Sequence, residues 1–483
     1  MDKNRINALA DAKARRHDEA RADAVAQVHA GGKLTARERV HALLDSDSEI
    51  EYGAIAAVDQ EGGWIPETGG VDFVGKVDGQ TVITSSTDYT DRGGGYGAAR
   101  LERLIALAHQ YRWPLVLFVD GGGSRARHPR VGLGHTEITG PMGPFQLFDG
   151  MAELSGWAPS VAIVSGPSFA GHASLAGFSD CVISTPGSSI GMGGPPMVEA
   201  AFGITLTANE LAGAEMHDLG GGIDLLVPDE HAAIAAAQRY LGYLVDETSG
   251  APPLAGPALS ELVPDEGRYD MREVISRIVD ATGFFELRRN FASSVLTGFA
   301  RLDGRSVGVI ASQPAVREGR LDENAATKIA RFVELCDSYD FPILALVDSE
   351  GCETTWPIDS DEKSGSSVAI PGVSRWHSRA IIAHQHRDTP IFSVQIRRAG
   401  DLSMSMMAGP PNARRVPVLH LAWPGAEIGA VDGYASTRNV NTFDDVIDPE
   451  LTRSMLCAMI AHLPPRSELR ARQTHKKRPV DTW

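Results

Sequence analysis

The pattern of apolar and polar residues along this chain occurs twice. An apolar run that follows proline and ends on Val-Asp lies at 114–125, PLVLFVDGGGSR, and again at 342–353, PILALVDSEGCE. A helical spacing of apolar residues precedes each run, in AARLERLIALAHQYRWP (98–114) and NAATKIARFVELCDSYDFP (324–342). Each pair predicts an amphipathic helix that leads into a short buried strand.

Two further pairs of segments keep the same order. VDGQTVIT (77–84) is matched by LDGRSVGVI (302–310), and AIVSGPSFAGHASLAG (162–177) is matched by FSVQIRRAGDLSMSMMAG (392–409). The offsets lie between 225 and 230 residues, so we interpret the chain as an internal duplication. Each half alternates strands with helices, which predicts an α/β fold with strands buried on both faces.

A stretch rich in proline and glycine separates the two halves. It includes APPLAGPALSELVPDEG and lacks a helical or strand period. We therefore expect an N-terminal domain at 1–250, a linker at 251–267 and a C-terminal domain at 268–483.

Composition limits the classes of partner. The chain has 483 residues, too many for one core, and its 43% hydrophobic and 22% charged residues are typical of a folded globular protein. The net charge of −17 argues against duplex DNA or an anionic membrane as a partner. No apolar run reaches membrane-spanning length. The four cysteines lie far apart without a CxxC pair, which favours a reducing, cytoplasmic location and excludes a zinc ribbon.

Glycine clusters in the first half carry the candidate chemistry. They lie in STDYTDRGGGYGAARLERL (86–104), DGGGSRARHP (120–129), SGPSFAGHASLAG (165–177) and SIGMGGPPMVEAAFG (189–203). Glycines between a strand and a helix let backbone N–H groups converge on a ligand oxygen, and two such donors form an oxyanion hole for a thioester. Any one cluster alone is better explained as a tight turn. None matches GxGxxG or a Walker lysine loop, which disfavours a nucleotide site.

Longer motifs resemble a known family. GKLTARERVHALLDSDSEIE (32–51) resembles the N-terminal signature of biotin-dependent acyl-CoA carboxyltransferases, the β subunits of propionyl- and acetyl-CoA carboxylases. TDYTDRGGGYGAARLERL and VDGGGSRARHP are similar to two glycine-rich segments of that family. YDMREVISRIVDATGFFEL (269–287), GRLDENAATKIARFVELCDSYDFPILALVD (319–348) and DDVIDPELTR (444–453) resemble its second half. The resemblance covers nearly the whole chain.

The resemblance implies a fold, a reaction and partners. The fold is two tandem crotonase-like domains of the ClpP/crotonase superfamily, each a spiral of ββα turns. The reaction transfers a carboxyl group from carboxybiotin to the α-carbon of an acyl-CoA through an enolate held by backbone N–H groups. The implied partners are a biotin carboxylase or biotin carrier subunit and further copies in a homo-hexamer (trimer of dimers) or a mixed hexamer.

The resemblance also implies site residues. The catalytic N–H groups on the acyl-CoA side fall at Ala170 and Gly171, with Gly122 and Gly123 close beside them. The residues predicted to bind acyl-CoA are Arg92, Gly93, Gly94, Gly95, Ser124, Arg125, His172, Gly193 and Gly194. The residues predicted on the biotin side are Gly351, Cys352, Ala399, Gly400 and Asp401. The second catalytic pair is Gly400–Asp401 by family register, whereas the internal repeat matches Ala399–Gly400 with Ala170–Gly171. No metal site is expected.

The second half departs from the family pattern. The family carries Asp-x-Pro-Gly-Phe and Tyr-Gly-Gly-Ala where this chain has turns around Cys352 and Asp401. A carboxylate at 401 would oppose negative charge on a biotin oxygen. Cys352 lacks a basic neighbour in sequence, so a covalent role is disfavoured. His172 is interpreted as structural in preference to mechanistic.

Two alternatives remain open from the sequence. The first is a biotin-independent enzyme of the same fold, which decarboxylates or otherwise enolises an acyl thioester through the first-half glycines. The second is a non-catalytic partner that completes a mixed carboxylase complex. The sequence does not indicate which acyl-CoA is used.

Overall fold

A computed structural model describes most of the chain in two compact units. It describes residues 3–55, 57–60, 63–66, 69–91, 93–94, 98–122, 145–245, 248–357, 367–410, 417–428, 431–432, 443–475 and 478–482. The units are Met1–Gly242 and Tyr243–Asp481, apart from the last two residues. The division therefore falls a few residues before the predicted boundary at 250.

The first unit is built on a seven-stranded sheet. In spatial order its strands are Ile50–Tyr52, Gly70–Val77, Gln80–Thr87, Leu115–Phe118, Ser160–Val164, Cys181–Ser184 and Leu225–Leu226. The first three strands pair antiparallel and each later strand pairs parallel with its neighbour. The helices of this unit are Lys3–Ala14, Ala22–Ala30, Ala36–Leu43, Ala98–Tyr111, Phe145–Leu154, Gly171–Phe178, Pro195–Phe202, Ala208–Ala212, Ala214–Gly220 and Glu230–Gly242.

The second unit repeats this sheet strand for strand. In spatial order its strands are Phe285–Leu287, Val295–Leu302, Arg305–Ser312, Ile343–Ser349, Ile391–Ala399, Leu419–Ala422 and Asp445–Val446. Its first three strands are again antiparallel and the others parallel. The helices are Leu259–Leu262, Met271–Ile278, Glu323–Ser338, Val373–His386, Ser403–Met407, Thr452–Ile460 and Arg466–Arg472. The duplication predicted from the sequence is thus present in the topology.

Short elements complete the two units. Two-stranded sheets pair Pro167–Phe169 with Ser189–Gly191, Ala57–Gln60 with Gly63–Pro66, Thr355–Pro357 with Ser367–Ala369 and Glu427–Ile428 with Val431–Asp432. Short 3-10 helices lie at Asp18–Ala20, Arg317–Gly319 and Pro449–Leu451.

In each sheet the hairpin between the second and third strands has the same two-residue turn. Asp78 and Gly79 have φ of +49° and +78°, and Asp303 and Gly304 have φ of +50° and +82°. Asp-Gly suits a two-residue hairpin whose central residues both need positive φ, because that twist matches the twist of the flanking strands. The repeated Val-Asp-Gly and Leu-Asp-Gly segments of the sequence therefore fix the register of both hairpins.

Part of the predicted linker is packed into the second unit. Leu259 is buried in the same apolar cluster as Met271 and Val274. The carbonyls of Pro264 and Gly267 accept hydrogen bonds from the Arg397 guanidinium at 2.8 and 3.0 Å. The segment is therefore held by carbonyl contacts and by Leu259, Leu262 and Val263, which pack on the core, and it is not a free connection.

A buried lysine binds the loop between the first and second strands of the second sheet. Lys328 is 1% exposed, and its Nζ donates to the carbonyls of Arg288, Phe291 and Val295 at 2.7–2.8 Å. Burial lowers the pKa of Lys328 to about 7. The side chain therefore holds the loop between two strands together at the expense of a desolvated charge.

Among the described residues, no helix is both long and apolar enough to cross a membrane.

Replacement of this lysine should change the pH dependence of stability. We expect Lys328→Met to lower the free energy of unfolding at pH 7 by about 1–3 kcal/mol, because buried carbonyls lose their donor. An unfolded lysine keeps its proton up to about pH 10.4, whereas the folded one loses it near 7. The unfolded state thus binds more protons between these values, and wild-type stability should rise relative to the variant by on the order of 1 kcal/mol per pH unit.

Denaturant unfolding from pH 7 to 9.5 measures this difference. Lys76→Met, at an exposed position of a first-unit strand, is the matched control and should leave both stability and its pH dependence nearly unchanged. Parallel pH profiles for wild type and Lys328→Met would contradict the assignment.

Candidate active site

A buried aspartate sets the turn after the fourth strand of the first unit. Asp120 is 3% exposed, and its Oδ1 accepts the backbone N–H groups of Ser165 and Gly166 at 3.1 and 2.8 Å. Its Oδ2 accepts Arg39 Nη2 at 2.8 Å. The carboxylate therefore joins the ends of two neighbouring strands to the N-terminal helix that carries Arg39.

The charge of this carboxylate is balanced inside the unit. Burial alone would raise the pKa of Asp120, but the charges of Arg39 and Lys33 hold it below its usual range. Arg39 also donates to Glu230 at 2.5 Å, and its own pKa is raised although burial opposes this. The Ala36–Leu43 helix that presents Arg39 begins with a Thr35/Glu38 capping box, which fixes its start.

Close backbone approach explains one glycine of the first cluster. Gly94 has φ of +82°, and any Cβ added there would overlap the Asp120 carbonyl oxygen. The neighbouring Gly93 carbonyl accepts the Gly122 N–H at 3.0 Å. Gly93 and Gly94 thus lie directly against the backbone of Asp120–Gly122.

Ala170 and Gly171 lie between a short strand and a helix, beside this turn. Ala170 has φ of +54° and ψ of −119°, a conformation that disfavours a side chain, and it is the N-cap of Gly171–Phe178. Its N–H donates to the Gly191 carbonyl at 3.0 Å, so Ala170 does not offer a donor to a ligand. The Gly171 N–H has no acceptor among the described residues and lies at the positive end of the helix.

His172 packs into the same turn. A Cβ on Gly121 would overlap the His172 ring, so this histidine requires a glycine at 121. Its Nε2 lies 3.3 Å from the Gly94 carbonyl oxygen, and burial lowers the pKa of the imidazole. A neutral ring wedged between two glycine segments favours the structural interpretation over a mechanistic one.

The second unit has an equivalent buried aspartate with different partners. Asp348 is fully buried, and its Oδ2 accepts Tyr269 Oη at 2.7 Å and Arg397 Nε at 2.8 Å. Burial, followed by the Asp348 charge, raises the pKa of Tyr269 well above its usual value. Gly319 (φ +70°) lies under the Asp348 carbonyl oxygen as Gly94 lies under that of Asp120.

Strand pairing fixes which residues of the two sites correspond. Gly121 bridges Ser168 and Ser349 pairs with Ala399. Phe169 donates to Gly121 as Gly400 donates to Ser349, at 2.9 and 3.1 Å. Ala170 (φ +54°) therefore corresponds to Asp401 (φ +50°), and Gly171 corresponds to Leu402. The structural counterpart of Ala170–Gly171 is therefore Asp401–Leu402. It lies one residue after the predicted Gly400–Asp401 pair and two residues after the predicted Ala399–Gly400 pair. The second prediction was misled because both segments contain the dipeptide Ala-Gly.

Two side chains fill the second-unit site, which we define as the turn 349–352 together with Asp401 and Leu402. The Cys352 N–H donates to Asp401 Oδ2 at 3.4 Å, and the Cys352 sulfur lies 3.6 Å from the Met406 sulfur. Burial raises the pKa of the Cys352 thiol to about 11. The thiol is thus protonated at neutral pH, which agrees with the disfavoured covalent role.

The other predicted residues divide between described and undescribed parts of the chain. Gly193 and Gly194 lie one residue beyond the Ser189–Gly191 strand, which pairs with Pro167–Phe169, and Gly194 is the N-cap of Pro195–Phe202. Gly351 has φ of +137° and lies against the Asp401 carboxylate. The predicted residues outside the described part are Arg92, Gly95, Gly123, Ser124 and Arg125. Among the described residues, no cluster of histidine, cysteine or carboxylates could hold a metal ion.

Several residues that build the sites were not singled out from the sequence. They are Lys33, Arg39, Asp120, Glu230, Tyr269, Asp348 and Arg397. Lys33 and Arg39 both lie in the GKLTARER motif, and with Asp120 they line a cavity of about 160 Å³. The Val-Asp that ends both repeated strands was the available signal for the two aspartates.

Known proteins resemble this chain over most of its length. A structure of the transcarboxylase 12S subunit, with methylmalonyl-coenzyme A and methylmalonic acid bound, superposes with a TM-score of 0.81 at 29% identity and covers 100% of this chain and 98% of that one. The methylmalonyl-CoA carboxyltransferase 12S subunit of Propionibacterium freudenreichii subsp. shermanii is 31% identical over 86% of this chain and 79% of its own length. The methylmalonyl-CoA decarboxylase subunit alpha of Veillonella parvula is 28% identical over 94% and 95%.

The two tandem units define an enzyme of the crotonase-like fold, as in these carboxyltransferases. Residues 27–441 match the carboxyl transferase domain family. The chain belongs to that family and is a carboxyltransferase.

Removal of the Asp120 charge should loosen the first-unit turn. In Asp120→Asn the amide can still accept one N–H, and Glu230 still pairs with Arg39, so we expect the unfolding free energy to fall by about 1–3 kcal/mol. Thermal and denaturant unfolding measure this loss. Asp149→Asn, at an exposed helix position, is the control. Equal stability of the two variants would show that the carboxylate does not anchor the turn.

Proposed function

We propose that this carboxyltransferase transfers a carboxyl group from carboxybiotin, carried by a partner chain, to the α-carbon of an acyl-CoA thioester. The first unit, Met1–Gly242, is the acyl-CoA side, and the second unit, Tyr243–Asp481, is the biotin side. The proposal is supported by the family, by relatives named for methylmalonyl-CoA and by the open donor at Gly171.

The Gly171 N–H is the observation that carries the acyl-CoA assignment. A thioester whose α-carbon loses a carboxyl group becomes an enolate with negative charge on its carbonyl oxygen. A backbone donor at a helix N-terminus stabilises that oxygen without a reorganisation cost. The N–H is held in place because Ala170 is locked against Gly191 and the Gly121–Gly122 turn is locked by Asp120.

Cationic side chains in the first unit suit the phosphates of coenzyme A. Lys33 and Arg39 line the cavity next to Asp120, and Arg21 donates to Asp88 at its rim. Arg39 pairs with Asp120 and Glu230, and the charge of Lys33 also acts on Asp120, so an anion in the cavity would share these two cations with the buried carboxylates. Arg92 and Arg125 remain predicted contributors.

The second-unit site does not fit a biotin ureido oxygen as it stands. The Asp401 carboxylate lies in the turn beside the Leu402 N–H, the counterpart of the Gly171 N–H, and it already accepts the Cys352 N–H at 3.4 Å. We therefore derive no step through biotin from this arrangement.

We also propose the assembly and location that follow from the relatives. The related 12S subunit forms a hexameric core of a multienzyme complex, and a hexamer is the expected state of this chain. A biotin carrier subunit is its expected partner. The four cysteines are free thiols, which fits a cytoplasmic location.

Decarboxylation of an acyl thioester is a second candidate. A relative named for methylmalonyl-CoA decarboxylation aligns over 94% of this chain, and the closed second-unit site favours chemistry carried by the first unit alone. Release of CO2 from methylmalonyl-CoA without biotin would select this function over transfer.

Two experiments test the proposed function: a carboxyl-transfer assay of the wild type, and the same assay of a variant at Gly171. Purified chain with a carboxylated biotin carrier and propionyl-CoA should form methylmalonyl-CoA, or malonyl-CoA when acetyl-CoA is the acceptor. We expect Gly171→Val to lower that rate by about 100-fold, because its branched side chain hinders approach to the N–H. A Cβ at Gly171 lies 3.7 Å from Phe148, an ordinary contact, so the fold should be kept.

Gly177→Val is the matched control for this variant. Gly177 lies in the last turn of the same helix, and a Cβ there meets nothing within 4 Å. The control should retain the wild-type rate. Absence of product with every acyl-CoA tried would overturn the proposed function, and a fully active Gly171→Val in a complex with an active homologue would favour the non-catalytic partner.

A further inference from the structure

Two apolar side chains border the first turn of the helix that carries the Gly171 N–H. A Cβ on Gly171 would lie 3.7 Å from the ring of Phe148, which is half-buried. The Met192 sulfur lies 3.9 Å from the hydroxyl oxygen of Ser174, and this hydroxyl donates to the Ala170 carbonyl at 3.2 Å. Phe148 and Met192 therefore both lie against this first turn.

The turn that carries Met192 is held in place over the same junction. The Gly191 carbonyl accepts the Ala170 N–H at 3.0 Å. A Cβ on Gly191 would lie 3.0 Å from the Phe169 ring, and a Cβ on Gly194 would lie 3.7 Å from it. The backbone of this turn is thus fixed on both sides of Met192, whereas the Met192 side chain is 71% exposed.

Exposed apolar residues continue from Met192 into the next helix. The Pro195–Phe202 helix has one charged residue, Glu199, and none of its eight residues is buried. Met197 and Phe202 are 57% and 74% exposed. A single exposed apolar residue is ordinary, but a run of them that begins beside an oxyanion donor indicates that an apolar part of the ligand covers it.

Gly193 leaves open space next to Met192. Its φ lies outside the positive region, and a Cβ there would meet nothing within 4 Å among the described residues. Neither the backbone conformation nor packing within the described chain requires a glycine at this position. The space beside Met192 is therefore free for a ligand.

We propose that Met192, Phe148 and the space at Gly193 form an acyl pocket in the first unit, and that the preferred substrate is an acyl-CoA with an apolar chain of more than three carbons. This inference rests on the proposed function, in which the thioester oxygen accepts the Gly171 N–H. The acyl chain then leaves the α-carbon along Met192 and continues towards Pro195–Phe202. Met192 is the residue that determines chain length, since its flexible side chain adapts to the chain that covers it.

The affinity for acyl-CoAs of different chain length tests this pocket. Titration calorimetry with acetyl-, propionyl-, butyryl- and hexanoyl-CoA needs no biotin carrier. A fully buried methylene raises affinity about fourfold. We expect the wild type to bind hexanoyl-CoA at least about tenfold more tightly than acetyl-CoA, because part of the added chain is buried.

Two variants act on the pocket directly. Gly193→Val fills the open space, and Met192→Ser removes the apolar wall, so each should lower the affinity ratio of hexanoyl-CoA to acetyl-CoA to about a third of its wild-type value or less. Neither should change the affinity for free coenzyme A, which has no acyl chain. Met216→Ser is the matched control, since Met216 is 58% exposed on the separate helix Ala214–Gly220, and it should keep the wild-type ratio.

The outcomes separate the pocket from the proposed function. Equal affinities of the wild type for all chain lengths, or an unchanged ratio in both pocket variants, would overturn the pocket and leave the function intact. A chain-length preference that both variants lose and Met216→Ser keeps supports the pocket. If this preference is found but no acyl-CoA is carboxylated, the function is overturned and the pocket stands.

A contact between copies of the chain is the competing occupant of these exposed residues. Sedimentation of wild type and Met192→Ser distinguishes it. Dissociation of an oligomer by Met192→Ser, with the affinity ratio kept, would assign the exposed residues to that contact and overturn the pocket. An unchanged oligomer with a lowered ratio supports the pocket.

Discussion

A buried carboxylate at the end of one parallel strand organises each unit. Asp120 and Asp348 both receive backbone N–H groups from the next strand and an arginine from elsewhere in their own unit. Such a desolvated charge is tolerated only when its partners are in place, so the turn that follows it is tightly defined. The glycine under each aspartate carbonyl, Gly94 or Gly319, and the donors that face the site all depend on this fixed turn.

The two units share their sheet topology but differ in the residues of the turns that follow the strands. The two sheets share strand order and direction, and the two hairpins share their Asp-Gly turn. Among the described residues the Gly171 N–H of the first unit has no acceptor, whereas in the second unit the Cys352 N–H donates to Asp401 Oδ2 at 3.4 Å. The frame is thus shared, whereas a residue at its edge differs: Asp401 in the second unit lies at the position of Ala170 in the first.

Sequence patterns predicted the duplicated α/β fold, because repeated Pro-strand-Asp segments and Asp-Gly turns have local physical meaning. They also located the Gly171 turn and the altered turn near Cys352. They missed the partners of Asp120 and Asp348, since Arg39, Glu230, Tyr269 and Arg397 come from distant segments that only the folded chain brings together. The register at Asp401 was also missed, because it is set by strand pairing and by a positive φ on a non-glycine residue.

The most direct test of this account is a crystal structure of the wild-type enzyme soaked with both methylmalonyl-CoA and biotin. The account predicts the thioester oxygen within hydrogen-bond distance of the Gly171 N–H, in the turn held by Asp120. A thioester bound with its carbonyl oxygen away from the Gly171 N–H would contradict it.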